Sequence, residues 1–147
     1  MRIINLRWRE NNPDKAKESW NKSYIKKKLN LKFCLNKSIS TSIYDSLKKN
    51  KGSKNGRHWE DLVGYTVECL KLHLESTLPY GYDWQDYLDG KLHIDHIIPI
   101  SVFNFNDASN IDFQKCWDLD NLQLLPAKEN LVKSNKLEQS FQQSLAI

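Results

Sequence analysis

The chain has 147 residues, 39% of them hydrophobic and 27% charged, enough to bury one core without disulfide staples. Its three cysteines, Cys34, Cys69 and Cys116, are scattered, with no C-x-x-C pair; this argues against a structural zinc ribbon and suits a reducing cytoplasm. No apolar run approaches bilayer length, and MRIINLRWRE at the start lacks the apolar centre of a signal peptide, so a soluble cytoplasmic protein with no membrane partner is expected.

The net charge of +4 conceals a strong asymmetry. Residues 1–57 hold 16 Lys/Arg against 4 Asp/Glu, whereas residues 58–147 hold 6 against 14. A basic half of this density suits a polyanion, because each neutralised phosphate releases condensed counterions. A solvated, lysine-rich helix face is the alternative. The acidic half needs a reason to hold its carboxylates, and metal binding is one.

In chain order, Asn12-Pro13 reads as an N-cap followed by proline at the first helical position. The helix it opens is expected to run to about Leu29, with Trp20, Tyr24 and Ile25 on one face and Lys15, Lys17, Lys22, Lys26, Lys27 and Lys28 around the rest. A second helix is expected over residues 31–49, where Phe33, Leu35, Ile39, Ile43 and Leu47 fall near helical spacing. The glycine-bearing stretch NKGSKNGR, residues 50–57, reads as a flexible basic loop dividing a 1–57 extension from a 58–147 domain. Thr66 is placed to cap a helix reaching about Glu75. WQDYLDG reads as a short helical turn ending at Gly90. KLHIDHIIPIS, residues 91–101, is an apolar strand stopped by Pro99. A polar loop covers 104–110, one or two helical turns cover 112–117, NLQLL (121–125) is a second strand, and Pro126 opens a last helix. The fold class expected is α+β.

Residues 91–101 raise the chemical question. His93, Asp95 and His96 interrupt an otherwise greasy strand. Neighbouring strand residues point to opposite faces, so Asp95 and His96 are expected to share one cavity only if the backbone bends near Pro99. A carboxylate suits a hard divalent cation, and an imidazole, with an ordinary pKa of ~6.5, suits taking a proton from water.

HIDHIIPIS, NLQLLP and AKENLVKSNK, in that order, resemble the HNH endonucleases, and more narrowly the small phage and bacterial HNH proteins. The similarity extends upstream through HWEDLVGYTVECLKLHLES and GYDWQDY and covers residues 57–137. The resemblance implies a ββα-metal motif at about 91–137, packed with the basic helical extension. It implies a metal-dependent endonuclease that hydrolyses DNA phosphodiesters to 5′-phosphate and 3′-hydroxyl ends, acting on double-stranded DNA in a bacterial cell or phage-infected host. By the same resemblance His96 is the general base, Asn121 the central Asn that braces the loop and orients that histidine, and Asp95 and Asn130 the metal ligands. Lys133, with Lys136 and His93, would contact phosphate. One divalent ion is implied, Mg²⁺ first and Mn²⁺ as a substitute, since a carboxylate and an amide oxygen suit these ions better than zinc.

The pattern departs from the family in three places. Zinc-binding cysteine pairs are absent, NLQLLP replaces NLQPLW, and Leu92 replaces Trp. Apolar packing of Ile94, Ile97, Phe103, Phe113, Trp117, Leu122, Leu124 and Leu131 is expected to hold the unit instead. Each residue also has a structural reading: a satisfied buried histidine for His96, a turn cap for Asp95, a solvated helix position for Asn130 with Glu129 the stronger oxygen ligand, and C-terminal dipole partners for Lys133 and Lys136. His58 and His73 read as ordinary loop and helix-surface residues. Two other functions fit parts of the pattern. One is a non-catalytic DNA-binding protein on an HNH scaffold. The other is a zinc hydrolase ligated by His93, Asp95 and His96, which a short strand disfavours.

Overall fold

The computed structural model describes residues 2–28 and 30–134. Eight α-helices and two strands follow in order: α1 (Arg2–Asn11), α2 (Pro13–Lys28), α3 (Leu31–Lys49), α4 (Trp59–Val63), α5 (Val67–Ser76), α6 (Trp84–Leu88), β1 (Leu92–His96), α7 (Ile111–Cys116), β2 (Leu122–Pro126) and α8 (Ala127–Lys133). The class is α+β, with strand, long loop, strand and helix at its C-terminal end.

Helix α3 is the spine. The Asn30 side chain caps it by accepting from the Phe33 amide at 3.1 Å, satisfying one of the orphan donors of a helix start. Leu35, Ile39, Ile43 and Leu47 then recur every fourth residue, and all are at most 1% exposed. Each such side chain contributes about 1.5–3 kcal/mol by leaving water. Trp59 and Leu62 of α4, Val67, Leu70 and Leu74 of α5, and Phe103, Phe113 and Trp117 join them in one core. Packing therefore does not break at residue 57. The stretch at 50–57 is docked, not free: the Gly52 amide donates to Leu47 O at 2.7 Å, and Lys54 donates to Ser40 Oγ at 2.7 Å.

The expected apolar face of α2 is not a buried one. Trp20 is 64% and Ile25 58% exposed, and Trp20 stacks on Tyr24 with ring centroids 5.1 Å apart. Lys15, Lys17, Lys22 and Lys26 are exposed around them; the side chains of Lys27 and Lys28 lie outside the described residues. Helix α1 had no counterpart in the pattern reading.

The two strands pair antiparallel, Leu92 opposite Pro126 through His96 opposite Leu122. A lone hairpin-sized sheet is marginal in water, so its stability comes from what covers it. Leu92, Leu122 and Leu124 face the core, and the Leu124 amide is anchored on Thr77 Oγ1 at 3.0 Å. Helix α8 packs across both strands. Of the residues expected to hold this unit, Leu131 is 75% exposed, because its side of α8 faces away from the sheet; Ile97 is half-buried.

Candidate active site

Strand alternation sorts the polar residues of β1. Leu92, Ile94 and His96 fall on one face, His93 and Asp95 on the other. The second face lies under α8. There the Asn130 amide Nδ2 donates to His93 Nδ1 at 3.1 Å. The Lys133 ammonium donates to Asp95 Oδ2 at 2.7 Å and also to the His96 carbonyl. Gln123, directly opposite Asp95 in the register, donates from Nε2 to the same Oδ2 at 2.9 Å. Asp95 is 7% and Lys133 6% exposed, so this is a buried ion pair. Such a pair offsets the cost of desolvating two charges only with good hydrogen bonding, which the carbonyl and Gln123 supply.

His96 turns the other way. Its ring meets Trp117 edge to face, centroids 4.5 Å apart at 84°. Nε2 is enclosed with no hydrogen-bond partner. Burial pushes the imidazole pKa down to about 4; Asp95 opposes that shift and Lys133 adds to it. At neutral pH the ring is therefore neutral. The expected sharing of one cavity by Asp95 and His96 is not what the fold provides: alternation persists to the end of β1, and the two side chains take different partners.

Asn121 is 7% exposed and spends every side-chain atom on backbone. Oδ1 accepts from the Ile98 amide at 2.8 Å. Nδ2 donates to the carbonyls of Ile98 at 3.1 Å and Cys116 at 2.9 Å. The Asn121 carbonyl also accepts from Ile97 N at 2.8 Å. These bonds pin the bend that ends β1 to the loop before β2. Nothing is left over for substrate, so Asn121 acts by bracing.

The family resemblance sets Lys133 at phosphate. In the structure its ammonium is buried against Asp95, because α8 points it into the sheet. Lys136 lies outside the described residues. Glu129 is exposed and takes no part. His73 is half-buried on α5, and its Nε2–H donates to the Leu122 carbonyl at 2.8 Å, tying α5 to β2. His58 caps α4, accepting from the Glu60 amide at 3.4 Å. Pattern reading missed Gln123 and Trp117 as site neighbours. The register alone identifies Gln123; nothing local in the sequence identifies Trp117.

Among the described residues, no three His, Cys, Asp or Glu side chains are grouped to hold an ion, so a zinc set of His93, Asp95 and His96 is not formed. What the arrangement offers a cation is two oxygens. Among the described residues Asp95 Oδ1 and Asn130 Oδ1 take no hydrogen bond. A carboxylate and an amide oxygen fit a hard ion that keeps most of its waters.

Among the described residues no helix is long and apolar enough to cross a membrane. No family model matches the chain, and no solved structure matches it. Over 107 residues it is 24% identical to "Uncharacterized protein L426" of Acanthamoeba polyphaga mimivirus, an alignment that covers 73% of this chain and 44% of that protein. The chain thus spans less than half of that relative's length and is similar to it at a level that assigns no family.

Proposed function

We propose that the chain is a metal-dependent endonuclease of the HNH, ββα-metal type that hydrolyses double-stranded DNA. One observation carries the reading. Helix α8 lies across β1 and sets Asn130 against His93 and Lys133 against Asp95, so the acid and the amide of the motif come under one helix on one face of the sheet, with His96 next in the chain on the opposite face.

The residues divide the work as follows. Neutral His96 takes a proton from water. Asn121 keeps the β1 bend in place beneath it. His93 holds the Asn130 amide nitrogen, which leaves the amide oxygen as the ligand. Gln123 and Lys133 hold Asp95 Oδ2, which leaves Oδ1 as the ligand. A divalent ion, Mg²⁺ or Mn²⁺, bound at Asp95 and Asn130 would supply neutralisation of the charge that grows on the phosphate. The products are 5′-phosphate and 3′-hydroxyl ends, as a nick or a double-strand cut. The basic helices α1 and α2 hold the DNA backbone.

Incubation with supercoiled plasmid and each divalent metal tests this. Nicked or linear product with Mg²⁺ or Mn²⁺ is expected, and lost in His96→Ala with DNA binding kept. Plasmid left intact with every metal would sink the activity. A second reading, a non-catalytic DNA-binding protein on the same scaffold, is favoured by the Asp95–Lys133 pair, which satisfies the carboxylate internally. It predicts plasmid bound and never cut.

A further inference from the structure

A buried carboxylate that is to receive a divalent ion gains from keeping its negative charge uncompensated, yet Asp95 is already neutralised. The Lys133 ammonium is as buried as its partner, 6% against 7% exposed, and it touches the two consecutive residues proposed as ligand and base: Asp95 through Oδ2 and His96 through the backbone carbonyl. It is one helical turn from Asn130, the second oxygen donor. The remaining protein donor is a neutral amide, itself held by His93. The formal charge of Asp95, Lys133 and Asn130 together is therefore zero, in a place where screening is weak.

From this we infer that Lys133 is a built-in counter-ion of the site: it holds Asp95 by Oδ2, leaves Oδ1 alone for a cation, and makes cation binding depend on the phosphate that DNA brings. The inference rests on the nuclease reading above and deepens it. Without DNA, a divalent ion meets one carboxylate oxygen and an adjacent positive charge. With DNA, a phosphate oxygen adds both a ligand and a negative charge, and the balance turns favourable. Lys133 is on this account a positioning residue, not a group that touches substrate. The arrangement keeps a hydrolytic centre from loading metal until its substrate is present.

Mn²⁺ binding to the metal-free protein, followed by electron paramagnetic resonance, reads this without any turnover. The parent, Lys133→Arg, Lys133→Met and Lys133→Gln are compared, with folding checked by circular dichroism and Asp95→Asn marking binding elsewhere. The expected result is weak binding by the parent and Lys133→Arg and at least tenfold tighter binding once the charge is removed by Met or Gln. Folded Met or Gln variants that bind Mn²⁺ no tighter than the parent would overturn the inference. A second arm needs no change at position 133. In the His96→Ala background, Mn²⁺ affinity is measured with and without a double-stranded oligonucleotide and corrected for Mn²⁺ held by the oligonucleotide alone; it should rise at least tenfold with DNA, and an equal affinity would overturn the proposal. Plasmid cleavage together with failure in either arm removes the counter-ion role and leaves the nuclease. Intact plasmid, with no Mn²⁺ bound at Asp95 in any variant, removes both.

Discussion

His96 contributes to stability in a way that depends on pH, and its sign follows from its burial. The folded-state pKa lies near 4 because the ring is desolvated, whereas an unfolded chain titrates at ~6.5. Above 6.5 neither state binds the proton and the stabilisation is full. As pH falls from 6.5 towards 4 the unfolded chain takes up the proton first, and stability is lost. Between pH 7 and pH 5 the loss amounts to about 2 kcal/mol. Urea unfolding in the presence of a chelator, at both pH values, should show this loss in the parent and a smaller one in His96→Leu. Equal losses would mean that the imidazole does not titrate as its surroundings require. The sequence sets Asp95, His96, Asn121 and Asn130 apart, because they are polar residues in apolar or motif-spaced surroundings. It did not disclose their partners. The bond from Lys133 to Asp95 spans 38 positions and exists only because α8 lies across β1. The contact of His96 with Trp117 likewise depends on how the loop between the strands folds back.

Elements were more legible than contacts. Helix α3 was readable because its apolar spacing and its glycine-bearing exit agree with one another; its Asn30 cap came to light only in the structure. The strand–loop–strand–helix order was readable for a similar reason: period-two runs are bounded by Pro99 and Pro126. Helix α2 was readable as a helix but not as a surface one, since Trp20 and Ile25 look like core residues until a partner fails to cover them. The loop at 50–57 misled in the other direction, its glycines suggesting mobility. Gly52 is there for close approach. A Cβ at that position would stand 2.0 Å from the Asn106 carbonyl oxygen, a backbone atom that cannot swing aside. Gly52→Ala should therefore force the loops at 50–57 and 104–110 apart and cost about 1–3 kcal/mol, the usual range for overpacking. For a chain of this size that corresponds to a melting temperature lower by roughly 5 °C. An unchanged melting curve would show that the two loops are not locked together.

At the scale of the whole molecule, charge and packing divide the chain in different places. Charge divides it near residue 57, and that is where composition placed a boundary. Packing divides it near Asn30, because α3 supplies Leu35, Ile39, Ile43 and Leu47 to the common core while none of the described side chains of α1 and α2 is fully buried. Residues 1–29 still carry nine Lys/Arg against three Asp/Glu, so cationic surface concentrates in a part on which the fold does not depend. A chain beginning at Asn30 keeps the cap of α3 and should melt as the parent does, whereas one beginning at His58 loses a wall of the core and should not fold. If α1 and α2 grip the DNA backbone, the shorter chain should bind DNA more weakly, and the plot of log affinity against log salt should flatten by about 0.9 for each phosphate contact removed. Fluorescence anisotropy across a salt series reads both quantities. An unchanged slope with a folded, truncated chain would place the DNA-binding surface on the remaining residues, where the positive charge of α3 and the loop at 50–57 is the next source.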